Sequence, residues 1–322
     1  GDYAAVASGT TLPGPPPQPT GLTATDGTAT EHVALSWNND SAKETAFLVY
    51  RHPLDDFSGA APLWTNAANA TTYNDTTAAV GTRYYYWIVA SNAIGISAAS
   101  DSDSGYRKLA TVTDLSASGC TDADQVALSW TDVAGDTGYG IWRDTDSDPA
   151  GGDWVGTASA NATSYNDATA TPGTRYYYWV RATNSTLAAQ GDFHASGAAG
   201  VRQLAPVAVS ASDDTDTGKV VVDWTDISGE SGYTIWRSET DDTGTAEYLA
   251  HVDVTSYNDE EAVAGTTYHY WVRGTNGTSG CQSDWGAGDA GRRRLVENPS
   301  AATFTRDGRE MVRAAITANA AA

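Results

Sequence analysis

The side chains best suited to catalysis are sparse and poorly grouped. Five histidines (His32, His52, His194, His251, His269) are scattered, and no His-Glu-x-x-His pair sets two imidazoles on one helical face for a metal. A Gly-x-Ser-x-Gly nucleophile elbow, a phosphate loop and a dinucleotide fingerprint are also missing. Asp and Glu are too numerous for any pair to stand out as a glycosidase dyad. The reading is therefore of a protein that is not an enzyme and needs no cofactor. Asp-rich runs at 144–153, 213–218 and 239–244 raise calcium. The first has the Asp spacing that opens a calcium loop, but Pro149 stands where that loop needs Gly and no Glu closes it, so solvated turns are favoured. Asn39, Asn69, Asn74, Asn161, Asn184 and Asn276 each begin an Asn-x-Ser/Thr sequon, which sets covalent glycans against the turn-forming habit of Asn in an Asn- and Thr-rich chain.

Elements able to hold such residues follow from composition. The 322 residues carry 18 Lys+Arg against 40 Asp+Glu, a net charge of −22. That balance argues against nucleic acid and anionic membranes as partners, since phosphate contacts need clustered cations. Arg292-Arg293-Arg294 is too short a run to reverse it. No apolar run approaches the ~20 residues of a membrane helix, so no membrane insertion is expected, and the stretch after Gly1 does not read as a signal peptide. The expectation is a mature, secreted chain. Abundant Thr, Ser, Gly, Asp, Tyr and Trp suit short strands and many turns.

A long-period repeat organises the chain. The stretch TSYNDATATPGTRYYYWVRATN (163–184) recurs at 71–92 and 255–276, with Tyr73, Tyr165 and Tyr257 spaced 92 residues apart. VALSW ending at Trp37, VALSW ending at Trp130 and VVVDW ending at Trp224 recur upstream, and FLVYR, YGIWR and YTIWR lie between. Short Val/Ile/Tyr/Trp/Thr runs between Gly/Asp/Asn turns read as about seven strands per repeat. These motifs resemble the fibronectin type III repeats of bacterial extracellular proteins, over about residues 18–296. The resemblance implies an all-β chain of three tandem fibronectin type III-like (immunoglobulin-like) β-sandwiches. The segments expected are an N-terminal extension with a Pro-rich linker (1–17), repeats at 18–110, 111–205 and 206–296, and a C-terminal tail (297–322).

On that resemblance the aromatic run divides by strand alternation. Tyr84, Tyr176 and Tyr268 are expected as corner tyrosines, rings in the core and hydroxyls on nearby backbone. Tyr177 and Trp179 are expected outward, beside Trp142 on the neighbouring strand. The equivalent sets are Tyr50, Tyr85 and Trp87, then Trp236, His269 and Trp271. Such rings read either as a ladder stiffening the sheet or as a surface for glycans or a protein. The family's loop placement also implies a Cys120–Cys281 disulfide between the second and third repeats, against two free or intermolecular thiols.

Residues 297–322 begin like an orphan first strand, turn at Asp307-Gly308, then continue with strand or helix patterning. Phe304, Met311, Val312 and Ile316 would be its apolar contacts. The leading expectation is a structural subunit of an extracellular bacterial filament or surface assembly, a head-to-tail homopolymer formed by strand donation from a terminal tail. The alternative is a non-catalytic, carbohydrate-binding or adhesive multi-domain module of a secreted protein.

Overall fold

A computed structural model describes residues 14–40, 42–296, 303–306 and 309–312. Alternating apolar strands and Gly/Asn/Asp turns give an all-β chain in which the only helical elements among these residues are two single 3-10 turns, Phe57–Gly59 and Thr243–Thr245. The first repeat forms β1 (Thr20–Ala24), β2 (Val33–Asn38), β3 (Ala46–His52), β4 (Ala61–Ala67), β5 (Thr72–Asp75), β6 (Tyr84–Ser91) and β7 (Asp103–Gly105). They make an antiparallel sheet β1-β2-β5 and a second sheet β4-β3-β6-β7.

The same plan recurs twice. The second repeat has β8 (Ser116–Ala117), β9 (Val126–Ser129), β10 (Gly138–Asp144), β11 (Asp153–Ser159), β12 (Ser164–Asp167), β13 (Arg175–Asn184), β14 (Ala189–Gln190) and β15 (Ala198–Val201). Its sheets run β12-β9-β8 and β11-β10-β13-β14, with β15 also on β13. The third repeat has β16 (Val209–Ala211), β17 (Val220–Trp224), β18 (Gly232–Ser238), β19 (Glu247–Val252), β20 (Ser256–Asp259), β21 (Thr267–Asn276), β22 (Cys281–Gln282) and β23 (Asp289–Arg292). Its sheets run β16-β17-β20 and β19-β18-β21-β22, with β23 on β21.

Each sandwich core forms where the inward residues of the two sheets meet. In the first, Val33, Leu35 and Trp37 of β2 pack against Phe47 and Val49 of β3 and Tyr86, Ile88 and Ala90 of β6. In the third, Val220, Val222 and Trp224 meet Tyr233, Ile235, Tyr270 and Val272. The tryptophan ending each second strand packs on the first aromatic of the next: Trp37 on Phe47, Trp130 on Tyr139 and Trp224 on Tyr233, with ring centroids 5.7, 5.3 and 5.4 Å apart. The Tyr139 hydroxyl donates to Asp132 (2.6 Å) and accepts from the Val133 N–H (2.7 Å). Tyr233 repeats this with Asp226 and Ile227. Phe47 has no hydroxyl, so the first repeat lacks this tie and carries a different loop there.

By contact density the chain divides into two compact units. One comprises Gly1–Ala117, Ala127–Asp167 and Tyr176–Gly200; the other comprises Ser118–Val126, Ala168–Arg175 and Val201–Ala322. After the third sandwich, β24 (Thr303–Arg306) and β25 (Arg309–Val312) pair antiparallel with each other, Phe304 opposite Met311. The expected contact at Ile316 lies outside the described residues. No helix among the described residues is long and apolar enough to cross a membrane.

Candidate functional site

Each sandwich holds a buried carboxylate at the same place. The Asp of the recurring Tyr-Asn-Asp ends the fifth strand of every sandwich, and its side chain turns back to cap the following turn. Asp75 Oδ1 accepts from the Thr77 N–H (2.9 Å) and hydroxyl (2.8 Å); Asp259 Oδ1 accepts from the Glu261 and Ala262 N–H groups (3.1 and 3.0 Å). The other oxygen takes two donors. Arg51 Nη1 and the Tyr86 hydroxyl reach Asp75 at 2.7 and 2.9 Å, and Arg237 Nη1 and the Tyr270 hydroxyl reach Asp259 at 2.7 and 2.8 Å. Arg143 and Tyr178 engage Asp167 in the same way. Each Arg also lies over a second ring, Tyr84, Tyr176 or Tyr268, at 4.4, 4.6 and 4.5 Å from its centroid. Burial would raise the Asp75 carboxyl, but the Thr77 and Arg51 hydrogen bonds hold it below its ordinary range. Burial, with the adjacent carboxylate, pushes the Tyr86, Tyr178 and Tyr270 phenols up.

These hubs correct part of the corner-tyrosine expectation: the Tyr268 ring lies in its core and the Tyr84 ring packs on its own, as expected, but the core hydroxyl is supplied elsewhere. The hydroxyl held in the core belongs to Tyr86, Tyr178 and Tyr270, each two residues after the position expected, and it binds a carboxylate. Tyr84, Tyr176 and Tyr268 supply ring faces to the Arg. The signal was present in the sequence as fixed spacing: Arg to Asp is 24, 24 and 22 residues, and Asp to Tyr is 11 in every repeat. In each hub one carboxylate oxygen is taken up by the Arg and Tyr of the same sandwich, an arrangement that ties the two sheets together.

The outer face of the larger sheet also differs from expectation. Trp87, Trp179 and Trp271 point away from the inter-sheet core, yet all three are buried. The segment between β14 and β15 lies over Trp179, so close that a Cβ on Gly197 would sit 2.9 Å from its Cε2; Gly288 covers Trp271 similarly. Phe57 of the first 3-10 turn packs on Trp87 and Tyr50, at 5.7 and 5.2 Å. Tyr85, Tyr177 and His269 are half-buried, and the His269 ring stacks on Trp271. Trp142 and Trp236 are half-buried at the centre of aromatic clusters. Trp142 meets Trp154 and Phe193 edge-on at 4.9 and 5.0 Å, and Trp236 meets Tyr248 and Trp285 at 5.5 and 5.6 Å. Arg181 lies over both the Trp142 and Phe193 rings, and burial lowers its guanidinium.

The rings most open to solvent were not singled out from the sequence. Trp64 on β4, Trp154 on β11 and Tyr248 on β19 are 54, 56 and 53 % exposed. All lie on the outermost strand of the four-strand path, which a bulge next to Tyr50, Trp142 or Trp236 re-aims in every repeat. Trp154 and Tyr248 pair directly with Trp142 and Trp236 across the strands. Gly140 leaves room for this, since a Cβ there would lie 2.5 Å from Trp142 Cζ3. Trp64 sits two residues further on, stacks on Tyr73 at 6.1 Å and 19°, and borders an open concavity of about 390 Å³ lined by Pro62, Leu63 and Thr65. A flat ring, backed by a second ring and open on its other side, can stack on another flat apolar face.

Cys120 and Cys281 form a disulfide, Cα atoms 5.6 Å apart and 161 residues apart in sequence, within the second compact unit. The sequons divide. Asn184 is buried, and its Nδ2 donates to the Gly135 and Gly81 carbonyls (2.7 and 3.3 Å); Asn276 Nδ2 donates to Gly229 O (2.7 Å) and Asn39 Nδ2 to Glu44 (2.8 Å). Those amides are committed to the fold. Asn69, Asn74 and Asn161 are exposed, and Asn69 and Asn161 occupy left-handed turn positions (φ 65° and 58°). In the first Asp-rich run, Asp144, Asp146 and Asp148 each accept from a backbone N–H one or two residues on. Among the described residues no group of three or more His, Cys, Asp or Glu is placed to hold a metal ion.

Three sandwiches share one antiparallel plan, with the third and sixth strands of each paired at the centre of the larger sheet. The chain is a tandem array of fibronectin type III-like sandwiches. No family model matches it. Exoglucanase B of Cellulomonas fimi is 29 % identical over 309 residues, covering 85 % of this chain, and the match spans 26 % of that longer protein. The FN1–FN3 domains of chicken CNTN1 are 18 % identical and cover 88 % of this chain and 100 % of theirs, with TM-score 0.29. A two-domain fibronectin type III segment of chicken tenascin is 19 % identical and covers 56 % of the array and 97 % of itself, with TM-score 0.44. An Fn3-like protein of Clostridium thermocellum is 27 % identical over 28 % of the array and 90 % of its own chain, with TM-score 0.25.

Proposed function

We propose that the array is a non-catalytic, carbohydrate-binding module of a secreted protein, holding polysaccharide on the edge-strand rings of its sandwiches. The observation that carries this reading is the repeated open ring. Trp64, Trp154 and Tyr248 are each more than half exposed, one per sandwich, on edge strands where charged residues are the usual choice. Aromatic side chains stack on the C–H faces of sugar rings for the same reason that they stack on one another: the face is apolar and polarisable. The match to a protein named Exoglucanase B supports a glucan as first candidate. Net charge of −22 disfavours acidic polysaccharides. Secretion fits the disulfide. The test is co-sedimentation of the chain with a panel of insoluble neutral polysaccharides, against sandwich proteins without exposed rings. Retention no greater than those controls across the panel refutes the reading.

A second reading is head-to-tail assembly through the C-terminal segment, supported by β24 and β25, which among the described residues pair only with each other and leave both outer edges open. Sedimentation velocity separates the two: polymers lost on deleting 297–322 support assembly, and a concentration-independent monomer refutes it.

A further inference from the structure

The two junctions between consecutive sandwiches are built from the same parts. In the first compact unit, the Val80-Gly81 turn meets Gly135, between β9 and β10, backbone to backbone, so that a Cβ on Gly135 would lie 2.7 Å from Gly81 N. Asn184 Nδ2 ties the two carbonyls together, Lys108 pairs with Asp192 (2.5 Å), and Leu109 is 1 % exposed. In the second unit, Pro172-Gly173 meets Gly229, between β17 and β18, in the same way. Asn276 Nδ2 donates to Gly229 O, Gln203 Nε2 donates to Asp284 (3.1 Å), and Leu204 is 0 % exposed.

The far end of the third sandwich carries a third set. Gly265 (φ 79°) stands where Gly81 and Gly173 stand, and its N–H donates to Arg293 O (3.0 Å), as the Gly173 N–H donates to Arg202 O (2.9 Å). Leu295 lies over Gly265, with Cδ2 2.9 Å from where a Cβ would be, as Leu204 lies over Gly173 at 3.0 Å. Arg294 occupies the place of Lys108 and Gln203. Here, however, Leu295 is 60 % and Val296 73 % exposed.

We propose that this end is a half-junction that receives a further fibronectin type III-like sandwich of the same polypeptide. Its partner carries glycine at the Gly135/Gly229 position and a carboxylate at the Asp192/Asp284 position to meet Arg294. The first sandwich of a second copy does not fit. Lys43 O accepts from Asn92 (3.1 Å) as Gly135 O does from Asn184, so a lysine stands at the glycine position. Ser97 and Gly191 make equivalent backbone bonds, to Ala90 O and Ala182 O, which puts Ala98 where Asp192 is needed. Asn92 Nδ2 is moreover already bonded to Gly14 O (3.1 Å). Stable free association takes roughly 1,200 Å² of buried surface, and a junction built on one leucine, one amide and one polar pair is expected to rely instead on the effective concentration of a covalent tether. The proposal stands independently of polysaccharide binding.

The native cysteines are paired, so Leu295→Cys introduces one accessible thiol. Its alkylation rate is measured in the 322-residue chain and in the chain extended after Ala322 by a second copy of residues 111–296. That copy keeps Gly135, Asp192 and its own disulfide. The extension is expected to slow alkylation at least about tenfold, and Gly135→Val in the appended copy to restore it. Appending residues 14–296 instead, which presents Lys43, is expected to leave the rate unchanged. Equal rates with and without the 111–296 copy, or equal protection by both extensions, overturn the proposal.

Discussion

Replacing Asp259 with Ala removes the centre of one buried hub and tests what holds each sandwich shut. In the native protein this carboxylate, 1 % exposed, takes Arg237, Tyr270 and two backbone N–H groups. Removing one partner of a buried ion pair costs about 3–5 kcal/mol, because the other charge is left uncompensated. Arg237 keeps 15 % of its side-chain surface in water, which places the loss near the lower end, about 3 kcal/mol. The orphaned Tyr270 hydroxyl adds about 1 kcal/mol. Tyr270→Phe alone costs only about 1 kcal/mol, since Asp259 retains three donors. In the double variant the Tyr270→Phe change costs almost nothing further, giving a coupling of about 1 kcal/mol. The array is not a single two-state unit, so the assay is urea-dependent hydrogen exchange, read on peptides covering 267–276. A loss below about 0.5 kcal/mol for Asp259→Ala, or strict additivity in the double variant, would refute the view that the hub is one network.

Three further outcomes are expected. Reducing the disulfide or replacing Cys120 and Cys281 with Ser removes a loop closure of 161 residues that runs through the second and third sandwiches; the chain-entropy model sets the loss at up to about 5 kcal/mol, read as a lower urea midpoint for those two sandwiches with the first unchanged. The first sandwich loses stability at both pH extremes. Asp75 is depressed in the folded state, so its contribution is present above the ordinary carboxylate range and disappears as pH falls through the folded value; Tyr86 is raised, so its contribution is present below about pH 10 and fades as pH rises beyond it. Asp75→Asn should flatten the acid limb, and an unchanged limb would show that other carboxylates govern it. When the chain is produced in a host that glycosylates sequons, glycopeptide mass mapping should find sugar only among Asn69, Asn74 and Asn161; occupancy at Asn184 would contradict its buried, doubly bonded amide.

Much of this architecture is legible in the residues. The 92-residue spacing, the Trp ending each second strand and the Tyr-rich sixth strand lead to three sandwiches because strand patterning and turn chemistry agree everywhere. The rings were harder to place. Alternation states which face of a strand a side chain leaves from, and Trp179 does leave from the outer face; it does not state what lies above, and the segment carrying Gly197 buries it. The reverse holds for Trp154 and Tyr248. They sit in a strand of ordinary composition, and only its position at the sheet edge, set by long-range pairing, exposes them. The Asp–Arg–Tyr hub shows a third case. Its spacing is written in all three repeats, but a charged pair at that separation reads as two solvated side chains until the strands are folded together.

The proposed polysaccharide surface consists of Trp64, Trp154 and Tyr248. The most direct test is a depletion isotherm of the chain on an insoluble glucan, with Trp64→Ala, Trp154→Ala and Tyr248→Ala made singly and together. Saturable binding is expected for the native chain. Each single change should weaken it severalfold, corresponding to about 1 kcal/mol per lost stack, and the triple variant should not bind although hydrogen exchange shows all three sandwiches still folded. Undiminished binding by the folded triple variant would show that polysaccharide is not held on these rings.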